Sequence, residues 1–126
     1  MALLADSNVW VDYLNSGKIP MADFETKLVQ GEVVICGIVL AEVLSGIKNM
    51  KEAQTVKTQL LALPYLSERR STFIKAADIY SSLRKKGTTV PLSDCIISAV
   101  VMENKCKLLT NDKHFREIPG LDEWIL

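Results

Sequence analysis

Four acidic residues, widely separated along the chain, stand at predicted strand ends or helix starts. They are Asp6, Glu42, Asp94 and Asp112. Carboxylates that are brought together repel one another, which raises their pKa values unless a cation compensates. Carboxylate oxygens without histidine or thiolate ligands suit Mg²⁺ or Mn²⁺ rather than zinc. Such a site can orient a phosphate and lower the pKa of a bound water, so the chemistry indicated is metal-assisted phosphodiester hydrolysis.

Two of these acids directly follow apolar runs that are typical of buried strands. Asp6 comes after residues 2–5, and Asp112 comes just after residues 107–110. The carboxyl ends of parallel strands share one edge of a sheet, and ligands bind at that edge in open α/β sheets. Asp112 could instead cap a short helix that runs through Phe115, whereas no structural role demands an acid at position 6.

The other two acids lie on predicted helices. We expect Ser93 to cap a helix whose first turn contains Asp94 and whose apolar run at 95–102 is buried on most sides. Glu42 lies in the second turn of the helix that follows the predicted strand at 33–36. Each could have an ordinary role, because Asp94 suits the helix dipole and Glu42 lies roughly 130° from its helix's apolar stripe, where it would face solvent.

Strands and helices alternate along the whole sequence. The predicted strands are 2–5, 33–36 and 107–110, with possible edge strands at 65–66 and 121–126, and the predicted helices are 9–14, 20–30, 38–47, 48–63, 70–86 and 93–103. This alternation favours an α/β fold in which helices cover both faces of a short, mostly parallel sheet of four to five strands. A length of 126 residues without repeats or linkers predicts a single domain over 1–126.

Composition and charge exclude several classes of protein. Fifteen basic residues balance 15 acidic ones, so binding to nucleic acid would have to rest on a local patch. No apolar run approaches the roughly 20 residues of a membrane span, and the amino terminus lacks the basic region of a signal peptide. Three cysteines without C-x-x-C spacing fit a reduced cytoplasm better than a disulfide framework.

Four segments carry a family resemblance that covers essentially the whole chain. They read D-S-N-V from Asp6, E-V-L from Glu42, L-S-D-C-I-I-S-A from Leu92 and L-L-T-N-D from Leu108. In this order they resemble the PIN domain, and their spacing and the chain length are most similar to the VapC-type toxins of toxin–antitoxin pairs. The resemblance implies a PIN-like three-layer sandwich.

The resemblance also implies a function and a set of partners. It assigns the four acids to Mg²⁺ or Mn²⁺ binding and RNA cleavage, Thr110 to support of the site, and Asn8 to a polar companion of the first acid. Family members are commonly homodimers, and a cognate antitoxin that also binds DNA covers the site. Gly37 departs from the pattern, since the family often has serine or threonine there.

Other polar and aromatic residues permit two interpretations each. Lys113, His114 and Arg116 directly follow the last acid, and they could contact RNA phosphates or simply be solvated surface charge. Trp10 and Trp124 neighbour apolar residues, so we expect them to pack rather than stack on bases.

Two other functions stay open from the sequence alone. Asp6 could be the nucleophile of an aspartate-dependent phosphatase, although the second acid that haloacid-dehalogenase-like enzymes have two residues later is replaced by Asn8. Alternatively, the chain could be a non-catalytic PIN-like interaction module, which would bind no divalent metal.

Overall fold

The computed structural model describes all residues from 1 to 126, and its strands and helices alternate as an α/β fold requires. The strands are β1 (Leu3–Ala5), β2 (Val33–Cys36), β3 (Tyr65–Leu66), β4 (Lys107–Thr110) and β5 (Glu123–Ile125). The α-helices are α1 (Ser7–Ser16), α2 (Phe24–Val29), α3 (Gly37–Ser45), α4 (Met50–Leu61), α5 (Arg70–Lys85) and α6 (Leu92–Glu103), and a 3-10 helix spans Lys113–Glu117. The predicted fold class is therefore confirmed.

The five strands form one sheet in the order β3-β2-β1-β4-β5, and every neighbouring pair is parallel. In the centre, Leu4 of β1 lies opposite Val34 of β2 and Leu108 of β4. All residues of β1 and β2 are buried, which explains why these strands are continuous apolar runs rather than alternating ones. The doubtful edge strands at both ends of the sheet do form.

The strand order reverses at β1, because later strands are added on both of its sides. The chain adds β2 and β3 on one side of β1 and β4 and β5 on the other side. The carboxyl ends of β1 and β4 therefore flank a topological switch point, where open α/β sheets bind ligands. The backbone N–H of Asp6 donates to the Leu109 carbonyl at 2.9 Å, so the two strands stay together to the point where β1 ends.

Six helices flank the sheet and complete its core. α5 packs along α6, whereas α1 packs on α3, which also contacts α4 and α6. Trp10 is buried as predicted, in edge-to-face contact with Tyr13 and Phe24. Trp124 is instead 40% exposed on the edge strand, with the Lys107 ammonium 6.0 Å from its ring centroid. No helix is both long and apolar enough to cross a membrane.

Of the six predicted helix starts only the one at residue 70 matches the structure, and two of the differences have a clear backbone cause. α6 begins at Leu92 rather than after a Ser93 cap, because Pro91 with its φ of −52° precedes the first turn and no side chain caps it. Ser93 lies inside that turn. α2 begins only at Phe24, since the residues after Pro20 form a turn before the helix starts.

Candidate active site

Asp6 is the most deeply buried of the four acids, with 3% of its surface exposed. Its Oδ1 accepts the Ser7 N–H at 2.8 Å and so caps α1, and its Oδ2 accepts the Thr110 hydroxyl at 3.1 Å. Burial raises the pKa of Asp6 and the charge of Asp112 adds to this, while the hydrogen bonds from Ser7 and Thr110 oppose it. The carboxylate is therefore fixed in orientation although its charge is costly.

Thr110, the last residue of β4, connects the first and last acids. Its buried hydroxyl donates to Asp6 and accepts the backbone N–H of Asp112 at 3.0 Å. The structure thus brings Thr110, which the family resemblance assigned to support of the site, into contact with two of the acids. It does not do so for Asn8, which is exposed and makes no hydrogen bond to Asp6; the neighbouring Ser7 makes that contact instead.

Asp112 caps the 3-10 helix Lys113–Glu117 and also faces the other acids. Its Oδ1 accepts the His114 N–H at 2.9 Å and lies 2.8 Å from His114 Nδ1. No protein group donates to its Oδ2. The capping role that the sequence suggested as an alternative is therefore real, and it leaves one carboxylate oxygen available to a ligand.

Glu42 projects from the second turn of α3 towards Asp6 rather than into solvent. Burial raises the pKa of Glu42, and the charge of Asp6 raises it further, while the Ser7 hydroxyl lowers it. Its Oε1 is buried and has no hydrogen-bond partner. Buried carboxylate oxygens are rarely left unpaired in native proteins, so this atom marks the place of a missing partner.

Asp94, in the first turn of α6, is the acid whose ionised form is disfavoured by burial and by all three other acids. Its half-buried carboxylate accepts no hydrogen bond. Burial raises the pKa of Asp94 to about 7, helped by the charges of Asp6, Asp112 and Glu42 and opposed by His114. Since the charges of all three other acids act on Asp94, the four carboxylates lie near one another at the carboxyl ends of β1 and β4.

The donor set fits a hard divalent cation. Lysine and arginine form no ion pair with any of the four acids, and His114 is the one basic side chain that pairs with one of them. A cation would relieve the mutual repulsion and supply the partner that Glu42 Oε1 lacks. As they stand, no three acidic, histidine or cysteine side chains are close enough together to hold an ion, so the carboxylates would have to turn towards it.

Two exposed cations stand directly beside this site. Lys113 and Arg116 lie on the 3-10 helix that Asp112 caps, and neither forms an ion pair. Their contact with the phosphates of an RNA substrate stays a prediction.

The sequence alone missed two contacts in the site. Ser7 donates its N–H to Asp6 and its hydroxyl lowers the pKa of Glu42, and its position directly after an acid that ends a strand was the available signal. The sequence suggested His114 as a contact to RNA phosphates, whereas its imidazole pairs with Asp112 in the structure. A histidine two residues after an Asx-type cap can fold back on that cap, which a residue pattern does not reveal.

Comparison with known proteins gives a family and a fold. The sequence model of the PIN domain matches residues 3–121. Three solved structures are similar over most of their length. The Salmonella typhimurium VapBC complex bound to DNA has a TM-score of 0.85 and 21% identity, covering 99% of this chain and 98% of that one. Rickettsia felis VapBC2, bound to a promoter DNA fragment, has a TM-score of 0.83 and 22% identity, and the alignment covers 100% of this chain and 99% of that one.

The third similar structure is the Mycobacterium tuberculosis toxin VapC20, described as cleaving the sarcin–ricin loop. Its TM-score is 0.63 at 12% identity, and the alignment covers 85% of this chain and 87% of that one. No curated protein sequence matches the chain.

Proposed function

The chain belongs to the PIN domain family, and we propose that it is a metal-dependent endoribonuclease acting as the toxin of a toxin–antitoxin pair. The observation that carries this proposal is the convergence of four carboxylates on the switch point of the sheet, with the buried Oε1 of Glu42 left unpaired. This arrangement is costly in a protein that binds no cation, so a role in cation binding accounts for it.

Each acid of the proposed site has a definite position. Asp6, Glu42, Asp94 and Asp112 would hold Mg²⁺ or Mn²⁺. When bound, such a cation lowers the pKa of a water and neutralises charge on the scissile phosphate. Asp6 is the fixed member, because Ser7 and Thr110 hold both of its oxygens. Asp94, with a pKa of about 7 when no cation is bound, must lose its proton before it can hold the cation.

RNA is the proposed substrate. A toxin of the same fold, VapC20, cleaves the sarcin–ricin loop, which supports an RNA target here. The chain has no net charge, so a polyanion must be held by local contacts rather than by the overall field. Lys113 and Arg116 are proposed to supply such contacts to phosphates next to the site.

Protein partners are proposed from the complexes in which similar chains are found. The Rickettsia and Salmonella structures are VapBC complexes bound to DNA, which supports an antitoxin partner that silences the toxin and binds DNA. The exposed side chain of Val29 adjoins an apolar groove lined by Leu28 and Leu63, as a protein-binding surface would. A homodimer of single-domain chains, 1–126 each, working in the cytoplasm, completes the proposal.

The decisive experiment is cleavage of total cellular RNA by purified protein freed of any partner that copurifies with it. Reactions would contain Mg²⁺, Mn²⁺ or a chelator, with Asp6→Asn and Asp94→Asn variants alongside. The matched control is Asp78→Asn, which makes the same change at an exposed acid outside the site. Discrete, metal-dependent fragments should appear with wild type and the control and disappear in both site variants.

Two results would overturn the proposal. Absence of both cleavage and divalent-metal binding by calorimetry would favour the non-catalytic interaction module. Trapping of a phosphoryl group on Asp6 would instead favour the aspartate-nucleophile phosphatase, since a metal-activated water leaves no covalent intermediate.

A further inference from the structure

The helix that carries Glu42 has no cap of its own, and a distant carboxylate supplies one. α3 starts after Cys36, whose side chain makes no capping hydrogen bond. Glu68, in the segment between β3 and α5, accepts the Gly37 N–H with Oε1 at 3.1 Å and the Ile38 N–H with Oε2 at 2.7 Å. The first two amides of α3 are thus satisfied by one half-buried carboxylate, whose charge also complements the helix dipole.

The surrounding backbone is built for this contact. β2 and β3 pair so that Cys36 lies opposite Leu66, which delivers Glu68, two residues further on, to the start of α3. A Cβ atom on Gly37 would lie 2.8 Å from Glu68 Oε1 and 2.7 Å from the Tyr65 hydroxyl. Glycine therefore leaves the space that the carboxylate fills, which explains the departure from serine or threonine at this position.

We propose that Glu68 is a positioning residue for Glu42, an inference that rests on the proposed function. Glu42 lies four residues after Ile38, on the same face of α3 and one turn from the Glu68 contact. Its buried Oε1 has no protein partner, so the place of that carboxylate depends on where the α3 backbone lies. Glu68 anchors the start of that backbone to the end of β3, and it touches none of the four acids through a hydrogen bond.

Removal and restoration of the cap test this inference. Glu68→Ala should raise amide hydrogen exchange at residues 37–39 at least about tenfold and weaken Mn²⁺ binding, measured by calorimetry, by about tenfold. Glu68→Gln should give exchange rates and a Mn²⁺ affinity between those of wild type and Glu68→Ala, because the glutamine side chain can accept hydrogen bonds only through one oxygen. Adding Cys36→Ser to Glu68→Ala should restore both quantities, because a serine at that extended N-cap position accepts an amide of its own helix.

Gly37→Ala perturbs the same contact from the helix side. Alanine is the better helix former, by roughly 1 kcal/mol in a helix interior, so a purely local effect would slow exchange or leave it unchanged. The added Cβ should displace the Glu68 carboxylate, so we expect faster exchange in the first turn of α3 and weaker Mn²⁺ binding.

Glu103→Ala is the matched control. Glu103 accepts the hydroxyls of Ser71 and Thr72 at the start of α5, so its loss weakens another helix start without touching α3. The inference is overturned if Glu68→Ala leaves Mn²⁺ affinity unchanged, or if Glu103→Ala lowers it equally. A wild type that neither binds Mn²⁺ nor cleaves RNA would instead sink the proposed function, and this inference with it.

Discussion

Replacement of Asp94 with asparagine should stabilise the metal-free protein near neutral pH while abolishing the proposed nuclease activity. The carboxylate is half-buried, accepts no hydrogen bond, and experiences the charges of three other acids. Asparagine has nearly the same shape but no charge, so the substitution removes the repulsion without opening a cavity. Most substitutions of buried residues destabilise a fold, which makes a gain in stability a distinctive result.

The size of the gain follows from the pKa of Asp94. A rise from 3.8 to about 7 corresponds to about 4 kcal/mol when the group is fully ionised, at 1.36 kcal/mol per pKa unit. Part of the side chain reaches solvent, which screens the charge, so we expect a gain of about 1–2 kcal/mol. For a domain of this size, that gain should raise Tm by about 4–8 °C.

The gain must also depend on pH with a definite sign. Because the pKa of Asp94 is higher in the folded protein than in the unfolded chain, the folded state holds its proton longer as pH rises. Ionisation of Asp94 therefore costs stability progressively between about pH 4 and pH 7, and the full cost is present above about pH 8. The difference between variant and wild type should be small at about pH 4 and largest at about pH 8.

The assay is urea unfolding in the presence of a chelator at several pH values, with Asp78→Asn as the control for loss of one exposed acid. The control should change stability by less than about 0.5 kcal/mol at every pH. A variant at Asp94 that is less stable than wild type at about pH 8, or whose gain does not vary with pH, would refute the electrostatic reasoning.

Three further predictions test other parts of the site. Thr110→Val should lower the free energy of unfolding by about 1–3 kcal/mol in urea unfolding and reduce cleavage, because it leaves the partly buried Asp112 amide without an acceptor and Asp6 Oδ2 without a donor. Calorimetry should show Mn²⁺ affinity rising about tenfold between about pH 6 and pH 8, since Asp94 must lose its proton to bind; a change below about twofold would argue against this. Lys113→Ala and Arg116→Ala should each raise KM, keep kcat, and reduce the salt dependence of RNA binding by about 0.7 in log–log slope, unlike the exposed Lys18→Ala.

The positions of the acids at the ends of strands could be predicted from the sequence, because they depend only on the topology of the sheet. Asp6 and Asp112 were expected to meet because each follows a buried strand, and β1 and β4 do pair in parallel. The alternation of strands and helices was likewise sufficient to predict a mostly parallel sheet with helices on both faces. These inferences need only the periodicity of apolar residues and the rule that parallel strands share a carboxyl edge.

Contacts that depend on the conformation of connecting segments could not be predicted from the sequence. Glu68 stands on a short segment after a strand of two residues, and nothing in its neighbourhood of the sequence points to α3. Its role depends on the register of β2 with β3 and on the missing Cβ of Gly37. The start of α6 was misjudged for a related reason, because Ser93 is a good cap by residue type while Pro91 sets the backbone.

The four acids come from four separate elements, and this arrangement has a physical consequence. Asp6 and Asp112 follow central strands of the sheet. Glu42 lies on α3 and Asp94 lies on α6, and both helices pack against the sheet. In the unfolded chain these acids are far apart and do not repel one another, so their repulsion is created by folding itself and opposes it. Anything positive that binds the folded site, whether a cation or a basic segment of a partner, relieves this repulsion and stabilises the fold by mass action. The same charges that are proposed to hold a cation therefore link the occupancy of the site to the stability of the whole domain.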